Sequence, residues 1–317
     1  MNDEQPRTRS QEHTIEIDAP LEAVWKALTE GEELMRWYVQ EAEVVPGKGG
    51  DIWVSFGEGM AGRSHIEVWE PGRHLRLSHL PAPGGGESKG AEGDQTGEGG
   101  EVGEGGEGGE VGEGGEGGEE GKRGAESETV GTPPLTSPII EDYFLQSRGG
   151  VTVLRLVTSG IPDTPDWDGF YDGTNRGWEL FLRTLRHYLE KHPGKPREHT
   201  VVMQPITGTI GHAWEELVGD EGLGLRTREV DLEDGVRYSA RTAGGDELEG
   251  DVLMAAPPTA LVLTLDNLDE SIFAITFDRM GDQTFLYASL SSYGELTDDM
   301  NRLHTRWREW LKRLSSL

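Results

Sequence analysis

GWELFLRTL, residues Gly177 to Leu185, returns near the end of the chain as RWREWLKRL, residues Arg306 to Leu314. Aligned without gaps, Trp178 meets Trp307, Phe181 meets Trp310, Leu182 meets Leu311 and Leu185 meets Leu314. In the first copy the stripe Trp178, Phe181, Leu182, Leu185, Tyr188, Leu189 keeps one face of an α-helix apolar. A second pair lies upstream in the same order: AVWKALTEGEEL (Ala23 to Leu34) against HAWEELVGDEGL (His212 to Leu223), matching Trp25 with Trp214 and Leu28 with Leu217. Repetition of two segments in one order predicts two homologous units joined head to tail.

The spacing from Trp25 to Trp178 exceeds that from Trp214 to Trp307, and most of the excess is the tract at 84–128. That tract is Gly and Glu with little else, and it holds VGEGGEGGE twice in succession, at 102–110 and 111–119. Glycine loses the most backbone entropy on ordering and the glutamates repel one another, so a disordered, extended loop is expected. Calcium-binding nonapeptide coils need an Asp ligand and an inward apolar residue in each repeat, and both are missing. Deleting 84–128 is expected to leave thermal unfolding nearly unchanged; a large loss of stability would show that the tract is structural.

Around the helices the chain reads as strands. His13 to Asp18 alternates, Ala19-Pro20 places proline at a helix start, and strand-like runs follow at Tyr38–Val45, Asp51–Phe56, Arg63–Trp69, His74–Leu80, Ile139–Gln146 and Val151–Thr158. A long helix, Gly173 to Lys191, closes the unit. The second unit repeats the plan: a strand at His199–Gln204, a short helix through Trp214, strands at Leu225–Asp231, Val236–Arg241, Leu248–Met254, Ala260–Leu265, Ser271–Phe277 and Thr284–Ser291, and a terminal helix. A long amphipathic helix beside antiparallel strands buries its stripe by lying across the sheet. The expected class is therefore α+β, with a disordered N-terminus at 1–12, one unit at 13–194 interrupted by 84–128, and a second at 195–317.

The 317 residues carry 29 Lys plus Arg against 59 Asp plus Glu, a formal charge of −30. Such a chain repels phosphate backbones and anionic lipid, so neither nucleic acid nor membrane is expected as a partner. With no cysteine there is no disulfide framework or thiolate site. The N-terminus lacks a signal-peptide core and no apolar run approaches a membrane span, which reads as a cytoplasmic protein.

Residues 13–37, HTIEIDAPLEAVWKALTEGEELMRW, resemble the opening of START-like (SRPBCC, Bet v 1-like) helix-grip domains, in particular bacterial members of the heat-shock-protein ATPase activator family. The resemblance continues through VVPGKGGDIWV, GRSHIEVWEPGRHLRLSHL and RGWELFLRTLRHYLE, while 198–317 look like a diverged copy. It implies a seven-stranded sheet gripping the C-terminal helix, often around a cavity for a hydrophobic or aromatic small molecule. It implies no invariant catalytic machinery and no cofactor. Fold alone does not choose among functions. The expectation is a non-enzymatic protein that binds a small hydrophobic ligand or a protein partner. The rivals are an enzyme of the polyketide cyclase or aromatase type, with His79 and Tyr143 steering protons, and a stress-related co-chaperone adaptor.

Trp25, Phe56, Phe144, Trp178 and Phe181 are the candidate cavity-lining rings, or equally the packing of a filled core. His79 falls in phase with Leu75 and Leu77 on the inward face, or else meets water where the strand ends. Asp172 or Thr174 is expected to cap the long helix. His187 and His192, five apart, are poorly spaced to share a ligand, and nothing in the sequence supports metal or nucleotide use.

Overall fold

The computed structural model describes residues 7–57, 60–79, 137–225, 232–280 and 283–314. The Gly/Glu tract and most of the expected strand at 225–231 lie outside them. Strand β1 (Thr8–Ile17) leads into helices α1 (Leu21–Thr29) and α2 (Gly31–Trp37), then β2 (Glu41–Val44), β3 (Asp51–Ser55), β4 (Ala61–Glu70), β5 (His74–His79), β6 (Ile139–Arg148), β7 (Val151–Pro162) and α3 (Asp168–Lys191). The first strand thus begins at Thr8, within the stretch expected to be disordered, because Arg9, Gln11 and His13 pair with β7 and turn inward. All seven strands form one antiparallel sheet in the order β1-β7-β6-β5-β4-β3-β2.

The second half repeats the plan with β8 (Arg197–Pro205), α4 (Ile210–Val218), β9 (Arg237–Arg241), β10 (Glu247–Ala256), β11 (Ala260–Leu265), β12 (Ser271–Met280), β13 (Gln283–Tyr293) and α5 (Asp298–Leu314). Its six described strands run β8-β13-β12-β11-β10-β9, the same permutation as the first sheet without its last edge strand. The expected duplication is present in topology. Each long helix meets its own sheet: Trp178, Leu182 and Leu185 pack with Ile17, Leu75, Leu154 and Leu156, and Leu303 and Trp307 pack with Phe273, Leu263 and Leu290. The chain is a tandem of helix-grip units.

Two local expectations are corrected. Helix α3 begins at Asp168, so Asp172 and Thr174 lie inside it, and the residue before it, Trp167, makes no side-chain cap. The early start is held by burial: Trp167, Phe170 and Tyr171 pack against Ile139 and Ile161. Helix α3 is also buried on two sides, with no exposed position from Trp178 to Leu189. Its stripe faces the first sheet. On the other side Leu180 packs with Met254, Ala260, Val262, Ile272 and Ala274, on the opposite face of the second sheet from that sheet's own core. Arg176 bonds Asp278 at 3.0 Å, Arg183 pairs with Asp234 at 2.6 Å, and His187 Nε2 donates to the Glu270 carbonyl at 2.8 Å. One helix is the shared layer between two sheets.

Candidate functional site

Strand alternation decides which groups enter the first grip. On β6, Ile139, Glu141, Tyr143 and Leu145 are buried; on β7, Thr152, Leu154, Leu156 and Thr158; on β5, Leu75 and Leu77. Register then places Gln11 opposite Thr158 and Thr158 opposite Glu141, a polar row across three strands. One step along, His79 is opposite Ile139; one step the other way, His13 is opposite Leu156. This belt divides the apolar interior. Ile139, Ile161 and Trp167 form a small cluster on one side, and Tyr143, Leu156 and the main core lie on the other.

The belt is only partly satisfied from within. Gln11 Nε2 donates to the Tyr171 carbonyl at 2.5 Å, which leaves Oε1 as the inward acceptor. Four buried belt atoms have no hydrogen-bond partner: Gln11 Oε1, His13 Nε2, His79 Nδ1 and Thr158 Oγ1. Native interiors pair their polar groups, so orphans gathered in one place mark something beyond packing.

Glu141 is the chemical centre. The Tyr143 hydroxyl donates to its Oε2 at 3.0 Å, and the Trp178 indole nearby favours the charged form of the same carboxyl. Burial drives the Glu141 carboxyl above its ordinary range; His79, Tyr143 and Trp178 offset that only in part. Burial, with the carboxylate nearby, likewise raises the Tyr143 and Tyr38 hydroxyls. A carboxyl whose folded pKa exceeds its unfolded one stabilises the protein below the unfolded value and loses that contribution as pH rises through the folded value. Glu141→Gln is therefore expected to raise the stability of the protein at pH 8 by on the order of 1 kcal/mol, with the gap to the parent closing toward pH 5. Equal or lower stability of the variant at pH 8 would show that Glu141 is not held against its preference.

Aromatic rings roof the belt. Tyr38 stacks on Trp178 with centroids 5.8 Å apart and meets Phe181 edge-on at 4.8 Å and Phe56 at 5.1 Å; Tyr143 meets Trp178 at 5.9 Å. Of the residues named from sequence, Phe56, His79, Trp178 and Phe181 are thus in or over the belt. Trp25 is not: it sits in the main core, edge-on to Trp69 at 5.3 Å. Phe144 is a correction. Strand alternation sends it to the face opposite Tyr143, where it stacks on His74 at 4.4 Å and under the Arg155 guanidinium. His79 Nδ1 is buried and does not meet water. Sequence reading missed Glu141, Gln11, Thr158, His13 and Tyr38. The signal for Glu141 was a carboxylate in the apolar register of Ile139, Tyr143 and Leu145.

Among the described residues the second grip has no counterpart. Its rows Val202–Ala288–Ile275–Leu261 and Leu290–Phe273–Leu263 are apolar across the strands. Its buried polar groups close on one another: His304 Nδ1 meets Thr200 Oγ1 at 2.7 Å, His304 Nε2 meets Ser292 Oγ at 3.0 Å, and Ser292 meets Ser271 at 2.8 Å. Openings of about 210 Å³ between α3 and the second sheet and about 500 Å³ beside α5 include no belt residue. Among the described residues no helix is long and apolar enough to cross a membrane.

Residues 18–94 match the family described as Activator of Hsp90 ATPase homolog 1-like protein. Among solved structures, the chain is similar to the Aha1 dimer of Colwellia psychrerythraea (18% identity, TM-score 0.38, covering 59% of this chain and 99% of that one). Protein MLL2253 of Mesorhizobium loti gives 17% identity and a TM-score of 0.39 over 58% of this chain and 98% of its own. The di-domain ARO/CYC BexL of the BE-7585A biosynthetic pathway gives 14% identity and a TM-score of 0.39 over 97% and 94%. None of the curated proteins matches the chain in sequence.

Proposed function

We propose that this chain, a tandem START-like protein whose residues 18–94 belong to the Activator of Hsp90 ATPase homolog 1-like family, binds one small, largely apolar molecule between its first sheet and α3. The observation that carries this reading is the belt of four unpartnered buried polar atoms under an aromatic roof, set against a second grip whose polar groups are closed. Rings supply contact area and a few fixed polar groups supply orientation. Native mass spectrometry of the purified protein tests it. The expected result is a stoichiometric adduct, or a 1:1 complex with an added aromatic compound, that is weakened by Thr158→Val. Binding that is unchanged in Thr158→Val, or located in the second unit, would overturn the reading.

A second reading is favoured by one geometric fact. An enzyme of the cyclase or aromatase type needs converging ionisable groups within hydrogen-bond reach, and Glu141 and Tyr143 are 3.0 Å apart, with His79 on the same face. Turnover of a poly-β-carbonyl compound that is lost in Glu141→Gln and in Tyr143→Phe would establish it; binding without turnover would leave the first reading standing.

A further inference from the structure

We infer that the first grip selects uncharged ligands that donate hydrogen bonds, flat two-ring compounds with hydroxyl or N–H groups at both ends, and rejects carboxylates. This rests on the binding reading above and adds the ligand's polarity. The row Gln11, Thr158 and Glu141 is biased toward accepting. Gln11 Oε1 can only accept, because its amide nitrogen is committed to the Tyr171 carbonyl. Glu141 already accepts from Tyr143 at 3.0 Å, and its remaining capacity lies on the same carboxyl. Thr158 serves as donor or acceptor, and the two imidazole nitrogens take whichever role their tautomer leaves. No lysine or arginine is a member of the row. Arg9, which turns inward one step along β1 from Gln11, has its charge met by Asp168 at 2.6 Å and Asp163 at 3.6 Å, and Arg176 by Asp278 at 3.0 Å, although the Nε of each is buried without a partner.

An entering carboxylate would therefore face Gln11 Oε1 and Glu141 with acceptors against acceptors. It would lose its hydration with no cation whose charge is not already met by a carboxylate. A phenol or enol hydroxyl meets the same atoms as a donor. Spacing sets the length: Gln11 and Glu141 are two strands apart, on the order of 10 Å, so two fused rings with polar groups at opposite ends reach from one to the other. The aromatic roof of Tyr38, Trp178 and Phe181 suits a flat ring system.

A matched pair of probes tests this on the full-length protein at pH 7.5 by isothermal titration calorimetry. Naphthalene-2,6-diol and 6-hydroxy-2-naphthoate share both rings and one hydroxyl, and differ only in a hydroxyl replaced by a carboxylate. The diol is expected to bind at least about thirtyfold more tightly, since an unpaired buried carboxylate costs more than a missing hydrogen bond. Thr158→Val and Gln11→Met should each weaken the diol about five- to tenfold. The naphthoate binding as well as the diol, or diol affinity unchanged in both variants, would overturn the inference while leaving a binding grip in place. Failure of both probes to bind would remove the binding reading and this inference with it.

Discussion

Trp178→Ala is expected to destabilise the protein by about 4 kcal/mol. The side chain is 6% exposed and lies against Tyr38, Tyr143 and Phe181. Truncation leaves a large cavity at the centre of the first grip, and relaxation cannot fill it because the surrounding rings are held by one another. A second loss adds to the first. The indole also favours the charged form of the buried Glu141 carboxyl, and without it that group keeps the Tyr143 hydroxyl as its hydrogen-bond donor. Trp178→Phe separates the two, keeping most of the volume and removing only the indole N–H, so its cost should be well under half that of the alanine variant. Urea unfolding followed by far-ultraviolet dichroism measures both. Since α3 is packed between two sheets, the transition should stay single and move as a whole. A loss below about 1 kcal/mol would mean that the helix does not bury this face.

The helix stripe, the repeat and the strand runs were legible in the sequence because each is a short-period pattern that burial on one side imposes. What was not legible depends on contacts from far along the chain. Helix α3 starts at Asp168 within DGFYDG, whose glycines and aspartates read as a turn; Ile139 and Ile161 override that preference by burying Phe170 and Tyr171. Leu180, Thr184 and His187 form a second buried stripe at steps of four and three, and only the second sheet gives it a purpose. The matching sign was ALVLTL at Ala260–Leu265, a run without alternation, which is how a strand buried on both faces reads. His187 and His192 are five apart and yet converge on one atom, the Glu270 carbonyl, at 2.8 and 3.3 Å. Helix spacing did not apply to that pair, because His192 is the C-cap and has left the helix. The belt was half legible: alternation along β6 puts Glu141 in phase with Tyr143 and Phe144 out of phase with both, a sign that the choice of Phe144 as a lining ring overlooks, but Gln11 and Thr158 join them only through the pairing of β1 with β7 and of β7 with β6.

The seam between the units should make the fold sensitive to mild acid. Burial pushes His187 down to about 4, with Glu270, Lys191 and His192 as its charged or titratable neighbours, and burial also holds His304 at about 4 inside its Thr200 and Ser292 hydrogen bonds. Burial, with Arg197 and His304 close by, depresses His199 as well. Unfolded histidines titrate near 6.5, so between that value and about 4 the unfolded chain binds more protons than the folded one, and stability falls as pH falls. Above 6.5 these groups are neutral in both states and add no slope. A shift of this size is worth roughly 3 kcal/mol for a buried histidine once pH has dropped through the folded value. Glu141 acts in the opposite sense and gains on acidification, but it is one carboxyl against several histidines. Unfolding free energy measured in urea should therefore decline steadily from pH 7 to pH 4.5, and His187→Gln, which keeps a donor for the Glu270 carbonyl and cannot titrate, should reduce the slope by up to one proton. A flat profile over that range would mean that these imidazoles are not buried in their neutral form and that α3 is not clamped to the second sheet through His187.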